Sequence, residues 1–456
     1  MIMELKLNQI ADFCGGKLFG DGSIAVKGFF TDSRKAAADE MFIPIKGENV
    51  DAHKFIPNVV DAGCMTTFSQ IPLDNIEGLN YVLVDNCISA FQKAAEMYRE
   101  TLKIPVIGIT GSVGKTTTKE IVSLALESRL RVLKTAGNAN SQIGLPMTVF
   151  RIDKEHQAAV LEMGMSMPGE MERIAKVAKP SIAIITNIGV SHIEFHGSRE
   201  KIMEQKLHIA DYLDESGVLI VNGDDDLLSG LKGKINCRVL TFGVSDDCDY
   251  RAADIVESPE VTCFTAVHAD KQTQVKLPVA GIHNVRNALA ALAAAEQVGI
   301  SMQSAAAALS AYNPPEMRQQ IKNFAGVTVI DDTYNASPDS MISSLQLLGG
   351  NKGTRKIAVL ADMLELGAYS EKGHTDVGIA AKSSGIDYLI AIGEEAANIR
   401  KGFGDDPHSA HFDNNSQAIE LLDKMIAVGD TVLVKGSRGM KTEEIVRFIE
   451  KKFSAK

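Results

Sequence analysis

The chain reads as an α/β protein of three domains: a mixed α/β N-terminal domain, then two domains on doubly wound, largely parallel sheets. Three observations predict this. Its 456 residues amount to about three domains at roughly 150 residues each. From residue 104 onward, short apolar runs alternate with helical stretches, the rhythm of βαβ units. The clearest punctuation is Asn313-Pro314-Pro315, where two prolines fix φ and remove two backbone donors, so no helix continues through. The expected domains therefore span 1–102, 103–312 and 313–456.

In the first domain, 2–13 and 90–102 read as helices and 29–33 and 41–45 as strands. In the second, strands are expected at 104–110, 131–134, 158–163, 182–186 and 218–221. The run 104–110 (IPVIGIT) is short and apolar, as a parallel strand buried on both faces must be. Helices are expected at 115–128, 169–178, 199–213 and 227–231. The alternating stretch 250–277 predicts antiparallel strands at one edge, and the Ala-rich stretch 284–297 a helix. In the third domain, strands are expected at 327–331, 357–360, 388–392, 410–412 and 431–434. Its helices are expected at 339–348, 374–383, 394–400, 416–426 and 442–451.

Composition excludes several classes. Hydrophobic residues make up 45% and charged residues 23%, ordinary globular usage that argues against disorder, collagen or a disulfide scaffold. With 47 basic and 58 acidic residues, the formal charge of −11 disfavours a general nucleic-acid binder. No apolar run approaches the roughly 18 residues of a membrane helix, so membrane insertion is not expected. The start, MIMELKLNQIADF, lacks the apolar core of a signal peptide. Cysteines stand at 14, 64, 87, 237, 248 and 263 without a CxxC pair, as expected for reduced thiols in a cytoplasm.

The motif that carries chemistry is Gly108-Ile-Thr-Gly-Ser-Val-Gly-Lys-Thr-Thr117, between an expected strand and an expected helix. Glycines there let backbone N–H groups point at phosphate oxygens, and the helix N-terminus adds partial positive charge. Gly111, Ser112, Val113, Gly114, Lys115, Thr116 and Thr117 would form this loop, with Lys115 on the β/γ-phosphates and Thr116 on Mg²⁺. Ile109 replaces the first glycine of the strict pattern. Metal partners are expected at the C-terminal ends of later strands: Glu162 and His192 qualify. His196, His208 and Glu194 read as surface residues, as does Lys206 from the residues alone. Asn284, Arg286 and Asn287 open the Ala-rich helix, as caps or as ligand contacts. Arg318 follows the proline pair. The turn Asp331–Asp339 offers Asp332, Asn335 and Ser337 as polar binding groups, though Ser337 and Asp339 also suit helix capping. Lys435 and Arg438 lie in a second polar turn, suited to a carboxylate.

These segments together resemble the Mur ligases, ATP-dependent amide-forming enzymes of peptidoglycan synthesis. GITGSVGKTTTKE resembles the family's ATP loop, TNIGVSHIEFHGS its metal-site histidine segment, and GIHNVRNALAALA its adenine segment. DDTYNASPDSM, FTDSR and VLVKGSRGMK are most similar to the member that joins D-alanyl-D-alanine to UDP-N-acetylmuramoyl-tripeptide. The resemblance implies an N-terminal UDP-substrate domain, a central P-loop ATPase domain and a Rossmann-like domain for the incoming dipeptide. It implies ATP and two Mg²⁺ ions, an acyl phosphate intermediate and a monomeric chain. It places Thr31, Asp32, Ser33 and Arg34 on the UDP moiety, and Lys115 and Thr116 on ATP and the first Mg²⁺. Glu162, His192 and a carbamylated Lys206 fall at the second. Asn284 and Asn287 would touch adenine, Arg318 phosphate, Asp332 ribose, and Asn335 and Ser337 the dipeptide.

Overall fold

The computed structural model describes residues 5–47, 49–74, 76–351 and 353–454. Of the helix expected at 2–13, residues 2–4 lie outside these; the remainder forms Leu7–Cys14, ended by Gly15 in the left-handed region. The N-terminal sheet has the spatial order Lys17–Phe19, Asn80–Leu83, Thr66–Ser69, Glu40–Phe42, Gly28–Phe30, with only the first pair antiparallel. Helix Cys87–Thr101 closes this domain and also packs on the next. Phe91 and Phe29 meet Phe150 of the second domain at centroid distances of 5.6 and 4.3 Å. Arg99 donates to the carbonyls of Ala178, Leu102 and Lys179 at 2.8, 2.9 and 3.0 Å. It thereby satisfies carbonyls left over at a helix end.

The central sheet has nine strands in the order Lys271–Leu277, Thr262–His268, Tyr250–Glu257, Arg238–Gly243, Val218–Asn222, Ile182–Ile185, Val106–Thr110, Ala158–Glu162, Val132–Lys134. The expected antiparallel edge is present: the two outermost pairings at the 262–277 side are antiparallel and the rest parallel. Arg238–Gly243 was not expected as a strand, because its run lacks the continuous apolar character of its neighbours. The helix expected at 199–213 stops at Leu207 and continues as a 3-10 turn, and 227–231 forms only the 3-10 turn Ser229–Leu231.

The third sheet runs Gln320–Phe324, Val327–Asp332, Asp430–Lys435, Arg355–Ala361, Tyr388–Ile392, Ser409–Phe412, antiparallel only in the first pair. Strand Asp430–Lys435 comes last in the chain yet inserts beside Val327–Asp332, setting Lys435 opposite Asp332. The helix expected at 394–400 sits three residues later, at Ala397–Phe403. No helix of the described residues is long and apolar enough to cross a membrane.

Candidate active site

A cleft of about 1330 Å³ lies between the central and third domains, at the C-terminal ends of both sheets. Strand Val106–Thr110 enters it through residues 111–114, which lead into helix Lys115–Glu127. Gly111 has φ 150, and a Cβ on it would stand 1.9 Å from Thr186 Oγ1; Gly114 is left-handed at φ 86. Gly108 stands apart from the loop: its missing Cβ makes room for Met163 Sδ, which would be 2.8 Å away.

Neighbouring residues hold the loop's backbone. Ser112 N donates to Asn187 O at 3.0 Å, and Val113 N to Asn187 Oδ1 at 3.0 Å. Thr186 Oγ1 donates to Val113 O at 2.6 Å. Lys115 Nζ donates to Gly111 O at 2.8 Å and to Ser112 O at 3.4 Å. Burial pulls the Lys115 pKa down; Glu162 opposes this and Arg318, from the third domain, adds to it.

Glu162 ends its strand fully inside. Its Oε1 accepts from Asn140 Nδ2 at 2.8 Å, while Oε2 is buried with no partner. His192 has φ 61. Its Nδ1 lies 2.5 Å from Glu365 Oε2. Burial first, then Lys115, Lys206 and His196, push the His192 pKa down to about 4. The ring is thus neutral at pH 7, with a lone pair for a cation. Lys206 is 2% exposed, and among the described residues no carboxylate is within ion-pair distance of it. Burial and then Lys115 hold its pKa well below the ordinary lysine value. The surface reading of Lys206 from the residues alone is thereby corrected. The same holds for His196, which is buried with an unpaired Nε2. His208, partly exposed, pairs with Asp211 at 2.6 Å, and Glu194 is exposed.

Ser112 Oγ and Glu162 Oε2 are both buried without partners. Leaving such atoms unpaired costs about 1–3 kcal/mol each, so the place is shaped for a ligand. A carboxylate, a neutral imidazole and a hydroxyl beside a phosphate loop fit a divalent cation. Among the described residues no three His, Cys, Asp or Glu groups converge. Beyond Glu162 and His192, the cation would therefore rely on the Thr116 hydroxyl and on phosphate oxygens.

Asn284 and Asn287 are buried and linked: Asn287 Nδ2 donates to Asn284 Oδ1 at 3.4 Å, and Thr118 Oγ1 donates to Asn287 Oδ1 at 2.9 Å. Arg286 pairs with Asp224 at 2.6 Å. Arg318 lies over the Tyr334 ring at 4.0 Å, between Met317 and Gln319, both at positive φ.

On the third sheet the polar groups serve one another. Asp332 Oδ2 accepts from Lys435 Nζ at 2.6 Å and from Ser344 Oγ at 2.7 Å. Lys435 also donates to Asn335 O at 2.9 Å and is 3% exposed. This corrects the expectation that Lys435 anchors a substrate carboxylate, since its charge is already spent on a buried partner. Arg438 remains half exposed. Ser337 caps helix Pro338–Gly349 in a capping box with Ser340.

Of the expected binding residues, those on the central and third domains line the cleft, except Gly111 and Lys206 behind its wall. Thr31, Asp32, Ser33 and Arg34 do not line it; Arg34 forks onto Asp32 at 2.8 Å through both contacts. Sequence reasoning missed Asn140, Asn187, Asp339 as a contact, and Glu365. Asn187 and Asp339 lay inside quoted motifs, whereas nothing in the spacing marks Asn140 or Glu365.

A phosphate loop, an adjacent acid with an unpaired oxygen, an imidazole beside it and a second α/β domain closing over them define an ATP-using enzyme of the Mur ligase type. The family description "Mur ligase middle domain" matches residues 109–295, and "Mur ligase, glutamate ligase domain" matches residues 317–438. The chain belongs to the Mur ligase family. It is 40% identical to UDP-N-acetylmuramoyl-tripeptide–D-alanyl-D-alanine ligase of Bacillus subtilis (strain 168), covering 98% of both chains. A crystal structure of MurF from Acinetobacter baumannii superposes with TM-score 0.93 at 30% identity, covering 99% of both chains. MurF ligase from Thermotoga maritima, solved with ADP, gives TM-score 0.84 at 27% identity, covering 94% of this chain and 98% of that one.

Proposed function

We propose that the chain joins D-alanyl-D-alanine to UDP-N-acetylmuramoyl-tripeptide at the expense of ATP, in the cytoplasm and as a monomer. The full-length likeness to ligases of that name carries this reading, because it includes the N-terminal domain as well as the ATP domain.

A carboxylate does not condense with an amine in neutral water, because oxide is too poor a leaving group. The tripeptide carboxylate therefore attacks the γ-phosphorus of ATP, and ADP leaves. Both groups are anionic, so their approach needs positive charge. Lys115 supplies it from the loop and Arg318 from the third domain, while N–H groups at the start of helix Lys115–Glu127 hold phosphate oxygens. Thr116, Glu162, His192 and a carbamate on Lys206 would hold Mg²⁺, which when bound neutralises the phosphates and the transferring phosphoryl group. The dipeptide amine then attacks the acyl carbon, the tetrahedral intermediate expels phosphate, and an amide remains. Asn284 and Asn287 would face adenine and Asp332 ribose. Thr31, Asp32, Ser33 and Arg34 would take the UDP moiety. Asn335, Ser337 and Arg438 would meet the dipeptide, Arg438 at its carboxylate.

Carbamylation of Lys206 has a physical basis. A carbamate forms when a neutral amine adds CO₂ and loses a proton. Burial without an anionic partner favours that neutral amine over the ammonium form, and the product turns a repelled cation into an anionic ligand.

The test of the function is a competition among D-Ala-D-Ala, D-Ala, L-Lys and diaminopimelate, with ATP and UDP-muramoyl tripeptide, read by product mass. D-Ala is shorter by one residue, about 3.5 Å of chain, so it cannot place both its amine and its carboxylate. The dipeptide product should dominate; a comparable rate of single-residue addition would overturn the reading.

A further inference from the structure

The segment Thr186–His192 does two things at once. Its first residues hold the phosphate loop through Asn187, and its last delivers His192 to the cleft. Between them lies a stretch held from both domains. On the central side, Ile188 N donates to Asp225 Oδ2 at 2.8 Å, and Ile188 O accepts from Arg199 Nε and Nη2 at 2.9 and 2.8 Å. From the third domain, the carboxylate of Asp339 sits against the next two residues. A Cβ on Gly189 would stand 2.1 Å from Asp339 Oδ2. Desolvation there raises the carboxyl pKa of Asp339. The Val190 side chain, 6% exposed, is buried in the third domain's own apolar cluster with Ile330, Met341 and Leu366.

Two further contacts repeat the pattern downstream. Glu365 reaches His192, and the two residues share an uncommon backbone: φ is 63 at Glu365 and 61 at His192. Gly367 stands where a Cβ would be 3.0 Å from Glu194 Cβ. Positive φ at non-glycine residues persists where surrounding structure holds it in place, and here each member of the pair lies on a different domain.

We propose that Asp339 is a positioning residue for the ligation reaction: by packing its carboxylate against a Gly189 too crowded for any side chain, it fixes the phosphate loop and His192 in place only when the third domain is docked. The inference rests on the ligase reading for its meaning, since docking then coincides with arrival of the acceptor amine. Asp339 touches no reacting atom. Its effect passes through residues 187–192 to Ser112, Val113 and His192. Withdrawing the third domain removes the carboxylate from Gly189 and uncovers the Val190 side chain, so the segment relaxes and the site is dismantled before water can reach an acyl phosphate.

The experiment uses the full chain with Asp339→Ala, Asp339→Asn, Gly189→Ala and the Gly189→Ala/Asp339→Ala pair. Calorimetric binding of a non-hydrolysable ATP analogue with Mg²⁺ is measured beside ligation turnover. Asp339→Ala should weaken analogue binding at least fivefold and lower kcat at least tenfold, while KM for the UDP substrate moves less than twofold. Asn has nearly the shape of Asp and fills the same space against Gly189, so Asp339→Asn should stay within threefold of wild type. Gly189→Ala drives a methyl into the carboxylate and should reproduce the Asp339→Ala loss. The pair should be no worse than either single variant, because removing the carboxylate makes room for the methyl. Unchanged analogue binding in Asp339→Ala, or losses that multiply in the pair, would overturn the inference. If Asp339→Ala does not fold, Gly189→Ala displaces the same carboxylate and decides the matter: a fivefold weaker analogue supports it and wild-type binding overturns it. A wild-type chain that binds the analogue but makes no dipeptide product sinks the ligase reading instead, and the binding arm still judges Asp339.

Discussion

The two walls of the cleft are built alike and finished differently. Each is the C-terminal edge of a parallel sheet, where a strand turns into a helix. On the central wall, Ser112 Oγ, Glu162 Oε2 and His196 Nε2 are buried with no partner. On the third-domain wall, Asp332, Lys435, Ser344 and the carbonyl of Asn335 are joined in one network. Buried polar atoms nearly always find partners, so the orphans mark where a ligand completes the structure. The satisfied network marks where the protein completes itself. The central wall is therefore the chemical one, and the third-domain wall is a rigid frame that brings groups to it.

Removing Lys206 should break this contrast most strongly. Lys206→Ala and Lys206→Met should each lower kcat/KM about a hundredfold or more, roughly 2.7 kcal/mol at 1.36 kcal/mol per decade. Met fills the space of the stem and removes a buried amine that has no partner among the described residues, so Lys206→Met should unfold at no lower urea concentration than wild type. Short-chain carboxylates should partly restore Lys206→Ala, by standing in for the carbamate. Full activity of Lys206→Met would sink the metal-ligand role.

Lys435 probes the opposite wall, and there stability should move before chemistry does. Lys435→Met leaves Asp332 buried and uncompensated, which costs about 3–5 kcal/mol. Urea unfolding would read this directly. Lys435→Met/Asp332→Asn should recover much of the loss; a pair as unstable as Lys435→Met alone would show that the network contributes little.

The smallest effect sharpens the picture of the frame. His374 is fully buried; its Nε2 accepts from Met363 N at 2.9 Å and its Nδ1 donates to Ser370 O at 2.8 Å. That arrangement requires the neutral ring, and burial lowers its pKa from 6.5. The unfolded chain takes up a proton near pH 6.5 while the folded chain does not. Stability is therefore complete above that value and falls as pH drops below it. His374→Gln should flatten the decline of the urea midpoint between pH 7 and pH 5; an unchanged slope would assign the decline to other groups.

The alternation of apolar runs and helices was legible in the sequence because sheets buried on both faces admit little else, and the βαβ path follows from it. The phosphate loop was legible for a related reason: its glycines and Lys115 act through local backbone geometry. Glu162 and His192 could be placed at a sheet edge by counting strands. Arg238–Gly243 was not legible, since its strand character comes from pairing with Val218–Asn222.

The rest belonged to tertiary structure. Lys435 reads as a free cation until the last strand inserts beside Val327–Asp332 and sets it opposite an acid. His196 and Lys206 read as surface residues until their helices pack down over the loop. Gly189 reads as one glycine among many until a carboxylate from 150 residues further along the chain fills the space of its side chain. Local propensity and periodicity reach only a few residues, whereas partnership between buried polar groups is set by which distant elements the sheets bring together.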